Sequence, residues 1–353
     1  MAKSEITSSI NIIDIRSEPT DGVIQKSLHD SIRQLHQEQA SLPNLLLWNE
    51  EGLRCFEKIT YSDDYYLTSE EIDILRQSCH KIAARIPSGS ILVELGSGNL
   101  RKIKVLLDAL DSQGRDVDYF ALDLSLPELR RTLSLVSTNN FAHVRCFGLL
   151  GTYDDGRKWL QRPEQQNRSK VIASLGSTLG SMQRDAAAEF LASFTGQLGG
   201  ASCPAAFLLG LDGCTDGKRV HSAYNDPAGL NRKFIKNGLV KANHLLGYEA
   251  FRLQDWGIVG EWDASKRSHN QYYHALTDTR VGSQAVQART KVLAVHSLKY
   301  DDDDKRALWN RAGVMETERW TSSSGQYRRH SPPRNASQLK KTTATTNIDP
   351  IKL

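Results

Sequence analysis

Two kinds of hydrophobic pattern alternate through the middle of the chain. Short apolar runs bounded by glycine and polar residues predict strands, because they are too short and too continuous for amphipathic helices. The predicted strands are 91–95, 118–123, 143–147, 170–175 and 205–211. Between them, apolar residues recur at helical spacing at about 100–111, 126–138, 155–161 and 184–197. Strands that alternate with helices predict an α/β fold with a parallel, doubly wound sheet buried on both faces.

The residues before this alternation predict a mainly helical segment. Residues 1 to about 20 show no clear pattern, and we expect them to be loosely ordered. Apolar residues at helical spacing then mark 22–39 and, more briefly, 52–59. Thr68 is followed three residues later by Glu71, which is the pattern of a capping box. It predicts that a helix begins there.

The last third of the chain predicts a smaller α+β lobe that covers the sheet. A helical stretch at 221–246 is followed by stretches of alternating apolar and polar residues, which predict antiparallel strands. These stretches are 256–263, 269–276 and 290–298. A further helix is predicted at 301–312, because its aspartate-rich first turn suits the positive end of the helix dipole. Gly313 is the expected stop.

A glycine-rich turn follows the first strand of the predicted sheet. Gly96 and Gly98 let the backbone pass close beneath a ligand, where a Cβ atom would collide. Asp123 ends the next strand and can accept hydrogen bonds from both hydroxyls of a ribose, and Glu94 lies in the strand before the turn. The third glycine of the dinucleotide fingerprint is missing, so the pattern favours S-adenosylmethionine over NAD. The alternative is that the turn only tightens a loop and that Asp123 caps a helix.

Composition favours a globular protein that acts on small molecules. The chain has 353 residues, 39% of them hydrophobic, and no apolar run approaches the roughly 20 residues of a membrane span. We therefore expect a cytoplasmic protein without a membrane partner. The net charge of +4 conceals a tail, 328–353, that carries +5, so residues 1–327 sum to −1. A folded part without a basic stripe predicts no nucleic-acid partner. Scattered cysteines and histidines predict no metal site.

Two further clusters could carry chemistry. Tyr61, Tyr65 and Tyr66 could line a pocket with their hydroxyls, although packing of amphipathic rings at an interface explains them equally well. The stretch 175–181 places two glycines and three hydroxyl side chains at the carboxyl end of the fourth strand, where ligands of doubly wound sheets bind. A plain strand-to-helix loop with Ser181 near the cap is the alternative.

Motifs spread over about residues 10–325 resemble the histidine-specific type of S-adenosylmethionine-dependent amino-acid N-methyltransferases. The shared motifs are LLWNEEG (46–52), FEKIT (56–60), DYYLT (64–68), VELGSG (93–98) with Lys102, LGSTLG (175–180), LGLD (209–212) and AYND (223–226). The fungal branch, which includes the 4-dimethylallyltryptophan N-methyltransferases of ergot-alkaloid synthesis, is the most similar. It shares 93–102, DYFALDLSLPEL (118–129) and GTYDDG (151–156). The resemblance implies a Rossmann-like class I methyltransferase sheet.

The resemblance also implies roles for single residues. Tyr65 and Tyr224 match residues that hold the amino-acid end of the substrate, and Trp48 and Phe56 match aromatic positions of the substrate pocket. The positions that match cofactor contacts are Gly96, Lys102, Asp123, Thr152 and Tyr153. With Glu94 and Gly98 they form the predicted cofactor site. From the resemblance we expect Tyr65 and Tyr224 to orient the α-amino group, with Ser181 assisting.

Three departures from the family pattern bear on the substrate and the fold. Ser181 stands where the histidine enzymes have an asparagine that grips the substrate. Val295 stands where they place a glutamate against imidazole, which favours a larger apolar side chain such as a prenylated indole. Val295 and Ser297 are both predicted to bind the substrate. The family ends in a strand, whereas this chain continues after Tyr327 into RRHSPP (328–333). We therefore expect that strand to be lost and the tail to be disordered.

These observations predict an N-methyltransferase of an aromatic amino acid, with 4-dimethylallyltryptophan as the first substrate and alkaloid biosynthesis as the setting. Histidine or tryptophan is the alternative within the class, and a non-catalytic relative that only binds the cofactor is the alternative outside it. A homodimer is one possible assembly. The expected parts are 1–60 (N-terminal helical segment of the substrate pocket), 61–215 completed by 298–327 (cofactor domain), 216–297 (substrate lobe) and 328–353 (disordered basic tail).

Overall fold

Strands and helices alternate along most of the chain. The computed structural model describes residues 10–98, 100–137, 141–198, 205–323 and 327–331. Its strands are β1 (Ile12–Asp14), β2 (Ser90–Leu95), β3 (Val117–Asp123), β4 (Val144–Leu150), β5 (Lys170–Ser174), β6 (Ala205–Asp212), β7 (Trp256–Asp263), β8 (Ser268–Ala275), β9 (Thr279–Val281), β10 (Gln284–Val286), β11 (Lys291–Leu298), β12 (Glu318–Thr321) and β13 (Tyr327–Ser331). Its helices are α1 (Thr20–Arg33), α2 (Glu50–Ile59), α3 (Tyr66–Arg85), α4 (Arg101–Ser112), α5 (Leu126–Ser137), α6 (Tyr153–Leu160), α7 (Arg184–Leu198), α8 (Gly217–Tyr224), α9 (Leu230–Leu246) and α10 (Asp302–Ala312).

Among the described residues, eight strands form the main sheet, in the order β1-β4-β3-β2-β5-β6-β13-β12. Neighbouring strands from β1 to β6 in this order pair in parallel. At the other edge, β13 pairs antiparallel with β6, and β12 pairs antiparallel with β13. All residues of β2 and β3 are buried, which explains why these strands are mainly apolar on both faces. The predicted α/β sheet is therefore confirmed, and ligands of such sheets bind at the carboxyl ends of the parallel strands.

A second, antiparallel sheet forms the smaller lobe. In it β8 lies between β7 and β11, and α8 and α9 pack against β7 and β8. Helices α1 and α2 of the N-terminal segment pack on α9. Buried side chains of both regions, such as Leu28, Cys55, Ile235 and Tyr273, share one hydrophobic core. The predicted α+β lobe is present, and the N-terminal segment is part of its core.

The beginning of the chain is more ordered than its sequence predicts. Residues 12–14 form β1, which pairs in parallel with β4 at the edge of the main sheet, with Ile12 opposite Gly148. The prediction of loose order is wrong for this segment. A three-residue strand is too short to show a periodicity, and it is stabilised by pairing with an edge far along the chain. Residues 1–9 lie outside the described part.

The predicted loss of the final strand is also wrong. The backbone of β13 pairs with β6, with Tyr327 opposite Asp212 and His330 opposite Leu209, and β12 pairs with its other side. The edge of β6 offers a row of backbone N–H and C=O groups, and a segment of almost any sequence can pair with it. The tail predicted as disordered from residue 328 therefore begins with a strand. Residues 332–353 lie outside the described part.

Several helix boundaries differ from their predictions, most clearly at α3 and in the stretch 221–246. Helix α3 begins at Tyr66 with no side-chain cap, so Thr68 lies inside its first turn and the predicted capping box is wrong. The stretch 221–246 is divided between α8, which ends at Tyr224, and α9, which begins at Leu230. The carboxylate of Asp226 accepts hydrogen bonds from the backbone N–H groups of Leu230 (2.7 Å) and Asn231 (2.8 Å) at the start of α9.

The helix predicted at 301–312 is confirmed as α10. Asp301 and Asp304 form a capping box at the start of α10, and Gly313, at φ +66°, ends it. The described cysteines, Cys55, Cys79, Cys146 and Cys214, are free thiols, and Cys203 lies outside the described residues. Within the part of the chain that the structure describes, no helix combines the length and apolarity that a membrane crossing needs.

Candidate active site

The glycine turn after β2 is held against β3. The backbone N–H groups of Gly96 and Ser97 donate to the carbonyl of Leu122 at 3.0 and 3.4 Å. Gly96 has φ +70° and Gly98 has φ +54°, a region that favours glycine. A Cβ atom on Gly96 would lie 2.8 Å from the hydroxyl oxygen of Tyr153, whereas one on Gly98 would meet open space. The turn is therefore open on the side where a ligand could approach.

Asp123 is a buried carboxylate beside this turn. It ends β3, and its Oδ1 accepts a hydrogen bond from the backbone N–H of Ser125 at 3.1 Å. Burial raises the pKa of Asp123 to about 6, although backbone N–H groups of Ser125, Leu124 and Gly98 favour its charged form. A carboxylate that is desolvated and reached by the glycine turn fits hydroxyl donors such as those of a ribose.

The remaining predicted cofactor residues surround these two. Glu94 is buried in β2 and accepts a hydrogen bond from the hydroxyl of Tyr119 at 2.6 Å. Thr152, which follows β4, caps α6 in a capping box with Asp155. Tyr153 comes next, and burial raises the pKa of its hydroxyl. The structure thus brings Glu94, Thr152 and Tyr153 to the carboxyl ends of neighbouring strands.

Lys102 is tied to the loop after β5. Its ammonium lies 3.0 Å from a carboxylate oxygen of Glu71 in α3. The same carboxylate accepts hydrogen bonds from the backbone N–H of Gly176, at 2.8 and 3.0 Å. Buried Glu71 therefore connects the first turn of α4 with the loop after β5, a role that differs from the predicted capping box. Lys102 forms an ion pair with Glu71, and its contact with the cofactor remains a prediction.

An aromatic cluster lies between the N-terminal segment and the smaller lobe. The ring of Trp48 packs edge-on against those of Phe56 and Phe234, at centroid distances of 5.1 and 5.2 Å. Phe56 contacts Tyr65 at 6.0 Å, and Tyr65 contacts Tyr224 at 5.8 Å, nearly perpendicular. The structure thus brings together four of the predicted substrate residues, and Phe234 is an addition that the sequence analysis missed.

A buried polar network lies beneath the two tyrosines. The Lys299 ammonium is 2.7 Å from Oδ2 of Asp212, and both side chains are at most 1% exposed. Lys299 also donates to the hydroxyl oxygen of Tyr224 at 3.0 Å. The hydroxyl of Tyr66 donates to Asp212 at 2.5 Å. None of Lys299, Asp212 and Tyr66 was predicted as a site residue.

The network fixes the charge states around the tyrosines. Burial by itself would lower the pKa of Lys299, but the Asp212 carboxylate and the Tyr224 hydroxyl raise it above its ordinary value. The pKa of Tyr65 is raised well above its usual range, first by burial and then by Tyr224 and Asp212. At neutral pH the ammonium is therefore charged, and the hydroxyl of Tyr65 is protonated.

The ring of Tyr224 is held from one side by His269. The two rings stack at a centroid distance of 4.7 Å and 20°. The side-chain amide of Asn225 donates to the carbonyl of His221, and its nitrogen lies 3.0 Å from Nε2 of His269, so Nε2 is an acceptor. Burial, with a smaller contribution from the Lys299 charge, lowers the pKa of His269 to about 3. His269 is therefore a neutral wall of the site.

Val295 and Ser297 lie on the same face of β11. They are opposite Gln271 and His269 of β8, and side chains of residues directly opposite each other share a face of the sheet. Because His269 stacks on Tyr224, this is the face that the predicted substrate residues occupy. Ser181 lies in a short turn after β5, where its hydroxyl donates to the carbonyl of Thr178 at 2.8 Å. Its contact with substrate remains a prediction.

The residues that the sequence analysis missed have weak local signals. Asp212 ends β6, and a carboxylate at a strand end could have been singled out as Asp123 was. Tyr66 belongs to the tyrosine cluster for which the sequence favoured neither a pocket nor packing at an interface. Lys299 follows a half-buried strand, and a lysine in that position is ordinarily solvated. Among the described residues, no cluster of His, Cys, Asp or Glu has the arrangement of a metal site.

Comparison with known proteins gives a family for this arrangement. Residues 27–331 match the model of the histidine-specific, S-adenosylmethionine-dependent methyltransferases. Ergothioneine biosynthesis protein 1 of Neurospora crassa is 44% identical over 317 residues, which are 89% of this chain and 36% of that protein. This chain thus spans about a third of the length of that relative.

Two fungal relatives match over most of their own length. N-methyltransferase imqF of Aspergillus flavus is 33% identical over 85% of this chain and 82% of its own. The 4-dimethylallyltryptophan N-methyltransferase easF of Claviceps purpurea is 32% identical over 89% of this chain and 96% of its own.

Proposed function

Because this chain belongs to the histidine-specific, S-adenosylmethionine-dependent methyltransferase family, we propose that it methylates the α-amino group of an aromatic amino acid. Membership makes it a methyltransferase with S-adenosylmethionine as its methyl donor. Its assigned site residues and its substrate are the subject of this proposal. The single observation that carries it is the pair of Tyr65 and Tyr224, whose rings contact each other at 5.8 Å beside the ring of Phe56.

The cofactor end of the site suits a nucleoside. The positive φ of Gly96 and Gly98 opens the turn after β2, and the buried carboxylate of Asp123 needs donors such as two ribose hydroxyls. Thr152 and Tyr153 follow the next strand tip and are assigned to the adenine. When bound there, S-adenosylmethionine supplies an electrophilic methyl group. The residues of the chain have to bind the amino acid and orient its amine.

The amino-acid end has to present a neutral amine. An α-ammonium group has no free electron pair on nitrogen and cannot attack the methyl group until it loses a proton. Burial raises the pKa of the Tyr65 hydroxyl, so Tyr65 stays protonated at neutral pH, is not available as a base, and serves to orient. In this proposal Tyr65 and Tyr224 hold the amino-acid group, Ser181 assists, and water takes the proton. Orientation supplies most of the acceleration.

The wall of the pocket favours a large apolar side chain. Trp48, Phe56 and Phe234 form an aromatic cluster against Tyr65. Val295 lies on the face of β11 that we assign to the substrate. A carboxylate at Val295 would pair with an imidazole N–H, and a valine cannot. We therefore propose 4-dimethylallyltryptophan as the first substrate, in an alkaloid pathway. Histidine is the second candidate, favoured by the 44% identity to ergothioneine biosynthesis protein 1.

A substrate panel tests the proposal. The purified protein is incubated with S-adenosylmethionine and, separately, with histidine, tryptophan and 4-dimethylallyltryptophan, and the products are analysed by mass spectrometry. Each transferred methyl adds the mass of one CH₂ group, which also gives the number of methylations. We expect the largest kcat/KM for the prenylated amino acid. Methylation of histidine alone would replace it by the second candidate, and methylation of none would overturn the proposed function.

Substitution of Val295 sharpens the choice. Val295→Glu should shift the ratio of kcat/KM values towards histidine by about tenfold, the worth of one charge-assisted hydrogen bond. Val259→Glu is the matched control, because Val259 lies opposite Tyr272, on the other face of the same sheet. An equal shift in both variants would contradict the placement of Val295.

A further inference from the structure

Lys299 and Asp212 form an ion pair that is buried in the protein interior. The two side chains are 1% and 0% exposed, and burying an ion pair costs desolvation that their attraction only partly returns. Asp212 has its own hydrogen bonds from Tyr66 and from the backbone N–H of Cys214, at 2.5 and 2.9 Å. The Lys299 ammonium also donates a hydrogen bond to the hydroxyl oxygen of Tyr224, a residue of the candidate site.

The direction of this bond is fixed by chemistry. An ammonium group has three donors and no acceptor, so the hydroxyl oxygen of Tyr224 must accept from Lys299. The proton of that hydroxyl then has to point away from Lys299. The rings of Tyr224 and Tyr65 meet at a centroid distance of 5.8 Å, so the proton of the Tyr224 hydroxyl is directed towards the face where Tyr65 and the aromatic cluster lie.

We infer that Lys299 is a positioning residue that makes the Tyr224 hydroxyl a hydrogen-bond donor towards the carboxylate of the amino-acid substrate. The inference rests on the proposed function. Lys299 itself does not touch substrate, because its side chain is only 1% exposed. Asp212 neutralises most of its charge, and His269 fixes the plane of the Tyr224 ring by stacking at 4.7 Å. The substrate carboxylate thus meets an oriented neutral donor.

A change of Lys299 should act on substrate binding and leave the cofactor end intact. We expect Lys299→Met to raise KM for the amino acid about tenfold, because one oriented bond to a charged group is lost. The affinity for S-adenosylhomocysteine, measured by calorimetry, should not change. Lys305→Met is the matched control, because Lys305 is also 1% exposed but pairs with Asp302 in α10. It should lower stability and leave KM unchanged.

A substrate without the carboxylate gives a second readout. The wild type should prefer the amino acid over its carboxamide by about tenfold in kcat/KM, and Lys299→Met should remove most of this preference. In a double-mutant cycle, Lys299→Met should add little to the KM of Tyr224→Phe, because it acts through the hydroxyl that the second variant lacks. Independent, additive effects would overturn the inference.

A compensated variant keeps the test valid if Lys299→Met fails to fold. Lys299→Met with Asp212→Asn removes both charges, so no buried carboxylate is left unpaired. Binding of S-adenosylhomocysteine shows that it is folded, and it should show the same rise in KM. A wild-type level KM in this variant would overturn the inference, while the proposed function would stand. A wild type that methylates no aromatic amino acid would overturn both.

Discussion

The two ends of the candidate site are built in different ways. At the cofactor end, Gly96, Gly98, Asp123 and Tyr153 lie within a few residues of the ends of β2, β3 and β4, and backbone groups do much of the positioning. At the amino-acid end, Tyr66 and Asp212 are in contact although 146 residues separate them. There, side chains from distant segments hold one another.

The difference lies in where the free energy of positioning comes from. A turn at a strand end is fixed by the ladder that precedes it, so its geometry follows from a short piece of sequence. A buried ammonium is acceptable only if a carboxylate arrives from elsewhere in the fold. We therefore expect substitutions at the cofactor end to have local effects and those at the amino-acid end to be coupled.

The largest expected effect is at Asp123. Asp123→Ala should weaken binding of S-adenosylhomocysteine by at least about 100-fold, because two hydrogen bonds to a charged group are lost at about 1.5–3 kcal/mol each. Calorimetric titration measures it. Asp116→Ala, an exposed aspartate just before the same strand, should bind normally. Equal affinity of Asp123→Ala and wild type would remove the proposed cofactor site.

The glycines of the turn should differ from each other. Gly96→Ala combines a positive φ with a clash against the Tyr153 hydroxyl, whereas Gly98→Ala adds only the strain of its φ. We expect a loss of about 2 kcal/mol of unfolding free energy for Gly96→Ala and about 1 kcal/mol for Gly98→Ala, from urea unfolding. Adding Tyr153→Phe to Gly96→Ala should recover part of the loss. No recovery would show that the hydroxyl does not limit the turn.

Asp123 should also make cofactor binding depend on pH. Its pKa of about 6 means that about a tenth of the carboxylate is charged at pH 5. If the charged form accepts the ribose hydroxyls, affinity for S-adenosylhomocysteine should be about tenfold weaker at pH 5 than at pH 7.5.

Stability of the ligand-free protein should follow the opposite sign. The pKa is raised from 3.8 to about 6 on folding, so the folded state binds more protons between these values, and this contribution to stability is lost as pH rises through 6. Asp123→Asn should flatten both curves in calorimetry and in urea unfolding. A pH profile of affinity that Asp123→Asn leaves unchanged would assign the titration to another group.

The smallest expected effect is at the amino-acid end. Tyr65→Phe should raise KM for the amino acid about fivefold, because one hydrogen bond of a neutral hydroxyl is worth about 1 kcal/mol. Tyr61→Phe is the control, because Tyr61 is 63% exposed and its ring lies against the guanidinium of Arg101. Steady-state kinetics measure both variants. Full turnover at wild-type KM in Tyr65→Phe would remove the orienting role of that hydroxyl.

The main sheet could be predicted because β2 and β3 are buried on both faces. A strand in that position has to be mainly apolar on both faces, so its sequence shows it. The start of α10 could be predicted as well, since the capping box of Asp301 and Asp304 is a contact within four residues.

Predictions failed where a distant partner competed with a local one. Thr68 and Glu71 have the spacing of a capping box, but Glu71 is drawn to Gly176 and Lys102 instead. Strands β1 and β13 are short, and each exists because an edge strand elsewhere offers free backbone groups. Their own residues give little sign of it.

The sequence by itself determined the α/β sheet, the glycine turn and the carboxylate of Asp123, because each is encoded by residues close together in the chain. Only the tertiary structure decided that Lys299, Asp212 and Tyr66 would meet beneath Tyr224. A buried charge is stable only in the company of its partner, and which partner arrives depends on the packing of the whole fold.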